Sequence, residues 1–157
     1  MPIIRDENKR REIIDLLTTA YWMEIETTMN YISNSVNPDG VRAEEIKKSL
    51  AADIADEIGH AQQFARRIKE LYGQVPGSMQ FEPEQRSLQP AAESIDVVHI
   101  IKGVIEAEQG AIDHYMKIIK ACEGVDYVTQ DMVTKILTDE EAHLRQFEGF
   151  LKEYEKR

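Results

Sequence analysis

Four glutamates interrupt four otherwise apolar helical seams, and this pattern limits the fold of the chain more than any other feature. Two of them open the motif Glu-x-x-His, as Glu57-Ile58-Gly59-His60 and Glu140-Glu141-Ala142-His143. Residues three apart share a helix face, so each motif aims a carboxylate and an imidazole the same way. Around them, seam residues recur in steps of three and four. One stretch runs Ile46, Leu50, Asp53, Glu57, His60, Phe64, Ile68 (with Arg67 beside it) and Leu71; another runs Val133, Ile136, Glu140, His143, Phe147, Phe150 and Tyr154. Two more stretches keep the same period. The first is Ile14, Leu17, Tyr21, a gap at position 24, Thr28, Tyr31 and Ser35; the second is Ile101, Val104, Glu108, Ala111, Tyr115, Ile118 and Cys122. This spacing describes amphipathic helices that face a shared core.

Turn and cap signals separate the seams. Asp6 suits the N-cap of a first helix, and Asn37-Pro38-Asp39-Gly40 ends it. Gly73 stops the second helix, Ser94 is a candidate N-cap for the third, and Gly124 ends that one. The expected helices cover about 6–35, 41–72, 94–122 and 126–154, after a tail at residues 1–5. At 1.5 Å per residue each would be about 40–48 Å long. Short turns make two antiparallel hairpins. Residues 73–93 hold Gly73, Pro76, Gly77, Pro83 and Pro90 with no helical period. A connection that long suits a crossover running the length of a bundle. The expected fold is therefore all-α: an antiparallel four-helix bundle of two helical hairpins joined by a long crossover. Its 157 residues fit one domain, residues 1–157, with a sizeable core.

The two halves repeat. Glu24 precedes Glu57 by 33 residues and Glu108 precedes Glu140 by 32, while Tyr31 and Tyr115 each follow their glutamate by seven. Antiparallel hairpins bring these glutamates to similar heights, so four carboxylates and two imidazoles should converge. Ionised carboxylates stay in a core only when paired or bound to metal. This donor set suits two first-row divalent ions, with carboxylates bridging them. Glu26 and Glu106 are rivals for Glu24 and Glu108. Both lie off the seam, on the side expected to face solvent, but a one-residue register change turns a side chain by about 100°. That leaves Glu106 against Glu108 open. Tyr31 and Tyr115 suit either core packing or a redox role. Asp53 is either a partner that holds a histidine or a mark of a wet part of the bundle. His99 and His114 fall outside the seams and are expected at the surface, as are Asp56 and Glu141. Trp22, Met23 and Met29 flank the first seam and suit either a core edge or a subunit contact.

Over about residues 10–152 these features resemble the ferritin-like superfamily, whose di-iron and di-manganese members take a Glu from each of two helices and Glu-x-x-His from each of the others. The segments Asp139-Glu140-Glu141-Ala142-His143 and Gln130-Asp131-Met132 are most similar to bacterioferritin and to Dps-like proteins with a bacterioferritin-type site. The resemblance implies that Glu57 and Glu140 bridge two iron ions, manganese or a mixed pair being the alternative. It also implies that Glu24 with His60 completes one ion and Glu108 with His143 the other, and that Tyr31 is a hydrogen-bonding or redox-active neighbour. The implied activity is oxidation of Fe(II) by O₂ or H₂O₂, serving iron storage or protection against oxidative stress, in a homo-oligomer. Three departures narrow the family. Ile58 stands where bacterioferritins carry the haem-ligating Met, so haem is not expected. Ala111 stands where rubrerythrins carry an extra Glu, which disfavours a rubrerythrin-like peroxide reductase. The chain stops 14 residues after His143, which puts the usual 24-subunit cage in doubt.

Other classes are narrowed by composition. Net charge is −10, which disfavours nucleic acid or an anionic membrane as partner. The lone Cys122 allows no disulfide framework or cysteine-based metal site within the chain. No apolar run is long enough for a membrane span, and the charged start does not resemble a secretory signal. The expected location is the cytoplasm. Two other readings stay open: a different di-metal enzyme such as an oxygenase or peroxide reductase, and a non-enzymatic bundle whose carboxylates pair with histidines in a buried polar network.

Overall fold

The computed structural model describes residues 3–156. Four long helices dominate it: α1 at Glu7–Val36, α2 at Glu44–Glu70, α3 at Val97–Cys122 and α4 at Tyr127–Glu155. Single 3-10 turns occur at Val41–Ala43 and Ser78–Gln80, and there is no strand among the described residues. Met1, Pro2 and Arg157, the ends of the expected domain, lie outside the described residues. Within the expected tail, Ile4 is buried in the core.

Three helices start at an aspartate whose carboxylate accepts a backbone N–H of the first turn. Asp6 takes Lys9 at 3.1 Å, Asp96 takes His99 at 3.1 Å and Asp126 takes Thr129 at 3.0 Å. Such a cap satisfies an amide that the helix leaves without a partner. The third helix therefore begins after Asp96, not at the expected Ser94. At the end of α2 the stop also differs from the expected one. Tyr72, not Gly73, takes the left-handed conformation, with φ 70°. Gly73 matters instead because a Cβ there would lie 3.0 Å from methyl groups of both Ile14 and Ile68.

The contacts fix the directions of the helices. α1 packs along α2 and α3 along α4. Tyr31 on α1 reaches Glu108 on α3, while Tyr115 further along α3 reaches Glu24 earlier on α1. α1 and α3 are therefore antiparallel. In the same way His60 meets Asp139 while Arg67 meets Asp126 and Thr129, which makes α2 and α4 antiparallel. The two hairpins are thus related by an approximate twofold.

The core is two apolar clusters with a polar layer between them. One holds Ile13, Leu17, Phe64, Ile68, Tyr115, Ile118, Val133 and Ile136. The other, at the opposite end, holds Tyr31, Ile46, Leu50, Val97, Ile101, Val104 and Phe147. The seams expected for α2, α3 and α4 are those that are buried, except that Asp53, Phe150 and Tyr154 are only partly covered. On α1 the buried line runs Ile13, Leu17, Ala20, Glu24, Thr27, Tyr31 and Asn34, one residue before the expected positions at most turns.

The reason is the crossover, which α1 also supports. Glu26, expected in solvent, is buried and accepts the backbone N–H groups of Glu84 at 3.0 Å and Gln85 at 2.8 Å. Asn30 donates to the Gln85 side chain at 2.7 Å, and Asn34 donates to the Leu88 carbonyl at 2.7 Å. One polar face of α1, in steps of four, clamps the crossover. The other side of that strap rests on α3, where a Cβ on Gly103 would lie 2.2 Å from the Ser87 carbonyl oxygen.

Gly103→Ala should therefore lift the strap and destabilise the fold by about 1–3 kcal/mol, the usual cost of overpacking. Gly110→Ala on the same helix meets nothing within 4 Å and should stabilise it by up to about 1 kcal/mol through helix propensity. Urea unfolding followed by circular dichroism separates the two; equal effects would contradict the tight contact at Gly103.

Candidate metal centre

Between the two apolar clusters lie Glu24 from α1, Glu57 and His60 from α2, Glu108 from α3, and Glu140 and His143 from α4. All six are buried: the four glutamates are 1 % exposed, His60 2 % and His143 7 %. Helix spacing explains their convergence, because each Glu-x-x-His pair sits on the core-facing stripe of its helix at mid-length. Glu108, and not Glu106, faces the core.

The six form two overlapping groups of four. Glu24, Glu57, His60 and Glu140 present ligand atoms within 4.8 Å of one another, and so do Glu57, Glu108, Glu140 and His143. Glu57 and Glu140 belong to both. His60 Nδ1 lies 3.0 Å from Glu140 Oε1 and 3.7 Å from Glu24 Oε2. His143 Nδ1 lies 3.6 Å from Glu57 Oε1 and 3.7 Å from Glu108 Oε1. Each histidine thus turns the same nitrogen inward.

The surroundings hold these groups in place. Tyr31 donates its hydroxyl proton to Glu108 Oε1 at 2.6 Å, and Tyr115 donates to Glu24 Oε1. Both tyrosines are therefore core residues at one end and site residues at the other, one from each apolar cluster. His60 Nε2 donates to Asp139 Oδ2 at 2.8 Å. His143 Nε2 lies 3.5 Å from Asp53 and 3.6 Å from Asp56, so Asp53 is a neighbour of histidine. His99 is exposed as expected. His114 is not: it is half-buried and donates to the Leu16 carbonyl at 2.8 Å. Asp56, expected at the surface, and Asp139, which falls outside the apolar seam, thus both stand beside a histidine of the site. The signal was present, since an Asp precedes the Glu in both motifs, giving Asp-Glu-x-x-His twice.

Polar satisfaction tests whether these residues fit a metal pair. Among the described residues, nine buried side-chain polar atoms have no hydrogen-bond partner. Six of them are one atom from each site residue: Glu24 Oε2, Glu57 Oε1, His60 Nδ1, Glu108 Oε2, Glu140 Oε1 and His143 Nδ1. Buried polar groups without partners are rare and costly. Here they are all lone-pair donors of types that bind divalent transition metals, so the residues fit two such ions.

Without a cation the cluster must hold protons. Burial pushes Glu24 up to about 7, against the opposing contacts of Glu57 and Tyr115. Burial, and then the charge of Glu24, push Glu57 and Glu140 well above the carboxylate range. Glu108 is the exception: burial works against its charge, but Glu140, His143 and Tyr31 together bring it below its usual value. Burial also opposes charging of the two histidines. Glu140 and Asp139 outweigh it at His60, and Glu108 and Asp53 at His143, so each is raised to about 9. Burial and the nearby carboxylates keep Tyr31 and Tyr115 protonated far above their normal range.

Comparison with known proteins agrees with this geometry. The ferritin-like domain model matches residues 14–157. The chain is 28 % identical over 144 residues to the bacterioferritin of Desulfovibrio desulfuricans, covering 91 % of this chain and 76 % of that one. It is 28 % identical over 142 residues to the DNA protection during starvation protein of Pyrococcus furiosus, covering 89 % and 77 %. The crystal structure of the Desulfovibrio desulfuricans bacterioferritin, described by its di-iron site, superposes with a TM-score of 0.81 at 26 % identity, covering 96 % of this chain and 84 % of that one.

The proton load sets a pH dependence. His60 and His143 have folded-state values above the ordinary 6.5, so their contribution is complete below about 6.5 and is lost as pH rises through about 9. Glu24, Glu57 and Glu140 are also raised and act in the same direction from about pH 5 upward. The metal-free protein should lose thermal stability between pH 5 and 9. A redox-inert divalent ion should add an increment that grows over the same range, as protons cease to compete. Differential scanning calorimetry with and without the ion checks this; an increment independent of pH would contradict it.

Proposed function

The chain belongs to the ferritin-like domain family, and from that premise we propose that it is a di-iron carboxylate protein that oxidises Fe(II) with O₂ or H₂O₂, for iron storage or protection from oxidative damage. One observation carries this reading: six unpartnered, buried donor atoms converge from all four helices. His60 Nδ1 and Glu140 Oε1 stand 3.0 Å apart without a hydrogen bond, whereas a self-contained polar network would pair all six. Glu24 and His60 would hold one ion, Glu108 and His143 the other, and Glu57 and Glu140 would touch both. Two divalent ions carry +4, which offsets four ionised carboxylates. Each Fe(II) supplies one electron, so a pair supplies the two that convert O₂ and two protons to H₂O₂, or H₂O₂ and two protons to two waters.

The chain's own groups supply position and exclusion. Tyr31 and Tyr115 keep their protons, each orienting one carboxylate and leaving its second oxygen free. Tyr31 is the phenol we assign next to the chemistry, 2.6 Å from Glu108. The flanking apolar clusters keep bulk water from the ends of the site. The protons that Glu57 and Glu140 hold in the metal-free state are released as the ions enter.

We also propose that the protein is a homo-oligomer. Met29, Ile32 and Val36 form an exposed apolar stripe on α1, 58 %, 50 % and 69 % exposed, and Ile58 on α2 is 43 % exposed. Apolar stripes of this kind mark contact surfaces. Among the described residues no helix is long and apolar enough to cross a membrane, so a membrane does not account for this stripe as a span would.

Anaerobic Fe(II) titration of metal-free protein should end at two ions per chain, and admission of air should produce ferric near-ultraviolet absorbance. Glu57→Ala with Glu140→Ala should abolish both. Retention of stoichiometric iron in that variant would place the ligands elsewhere. Light scattering should give a mass of several chains, reduced by Ile32→Asp; a monomeric parent protein would rule out the assembly.

A further inference from the structure

The two halves of the site are alike in sequence but not in their support. Both read Asp-Glu-x-x-His, so Asp56 and Asp139 are equivalent by the repeat. Only Asp139 bonds its histidine, at 2.8 Å from His60 Nε2. Across the pseudo-twofold, Asp56 stands 3.6 Å from His143 Nε2 and shares it with Asp53 at 3.5 Å; neither is a hydrogen bond to it. The histidines differ in cover as well, with side chains 3 % and 9 % exposed.

These differences bear on metal binding. A neutral imidazole carries one N–H and one lone pair, and a hydrogen bond at one nitrogen decides which is which. The Asp139 carboxylate holds the N–H at His60 Nε2, so the ring angle is set and, once the ring is neutral, the lone pair is on Nδ1, which faces the site. His143 has two aspartates competing for one ring edge at longer range. It must settle its tautomer and its angle when the ion arrives. Ordering that is complete before binding does not weaken the binding.

Resting on the dinuclear reading above, we infer that the two metal positions fill in order, the Glu24–His60 position first, with Asp139 as the residue that positions His60. The Glu108–His143 position is the weaker and more exchangeable of the two. A partner of this kind typically changes metal affinity about 10–100-fold, enough to separate two binding steps.

Co(II) is a suitable probe, because its visible spectrum reports each occupied position without turnover. Metal-free full-length protein titrated with Co(II) without oxygen, by absorbance and calorimetry, should bind one ion per chain in each of two steps with different spectra. Asp139→Ala should weaken the first step about 10–100-fold and merge the two. Asp139→Asn, which retains an acceptor oxygen, should restore the separation. Asp56→Ala should leave the first step unchanged. Asp139 is half exposed, so its variants should fold, and circular dichroism checks that they do. Two ions bound in one unresolved step by the parent protein, or equal weakening of both steps by Asp139→Ala, would overturn the order. Fewer than two ions bound would overturn the dinuclear reading itself, a different result.

Discussion

Four carboxylates packed into the middle of a helical bundle are the constraint on which the rest of this structure depends. Their mutual repulsion and lost hydration cost several kcal/mol per charge unless cations, protons or hydrogen bonds compensate. The fold answers by position. The polar layer is held between two apolar clusters, each built from all four helices or nearly so. A side chain of Leu, Ile or Phe size contributes about 1.5–3 kcal/mol on burial, and both clusters are rich in such residues. The ends of the bundle thus hold the helices in register while the middle remains poorly satisfied without a metal.

The tyrosines join the two regimes. Tyr31 packs in one cluster and Tyr115 in the other, and each sends only its hydroxyl into the polar layer. A phenol suits this task because one end is apolar and the other donates a hydrogen bond. A serine there would lose the packing, and a phenylalanine would leave a carboxylate oxygen bare. Arg67 does comparable work at one end of the bundle. Buried with Asp126 and Thr129, it ties α2 to the first turn of α4, where the aspartate also caps the helix. Removal of one partner from such a pair would leave an uncompensated charge.

Most of the fold was legible in the sequence because burial dominates helix patterning. The seams on α2, α3 and α4 could be read directly, because outside the polar layer the buried residues of those seams are apolar. α1 could not be read to the residue, because it also buries a polar face. Its face toward the crossover is buried and polar, with Glu26, Asn30 and Asn34 bonded to the strap. A rule that sends charged and amide side chains to solvent moves the seam by one position at Ile13, Ala20, Thr27 and Asn34, while Leu17, Glu24 and Tyr31 keep theirs. The six converging residues were legible because a charge in an apolar seam is costly unless paired. Asp139 was not, because half its surface is wet and its role depends on a partner 79 residues away. The left-handed Tyr72 was equally hidden, since sequence favours a glycine at such a place and one stood next to it.

The repeat between the two hairpins explains why the site exists, and its breakdown explains how the site can be asymmetric. Two similar hairpins packed about an approximate twofold would place Asp56 on His143 as Asp139 is placed on His60. The symmetry fails where Asp53 is added one turn earlier on α2. The corresponding position on α4 is Ile136, buried in the apolar core. An aliphatic side chain there leaves Asp139 without a rival for its histidine, and the aspartate closes to hydrogen-bond distance. At the other motif a second carboxylate faces the same ring edge, and like charges keep both near 3.5 Å. A single difference in residue type, at equivalent positions four before each glutamate, is thus sufficient to give two sets of the same donor types unequal rigidity.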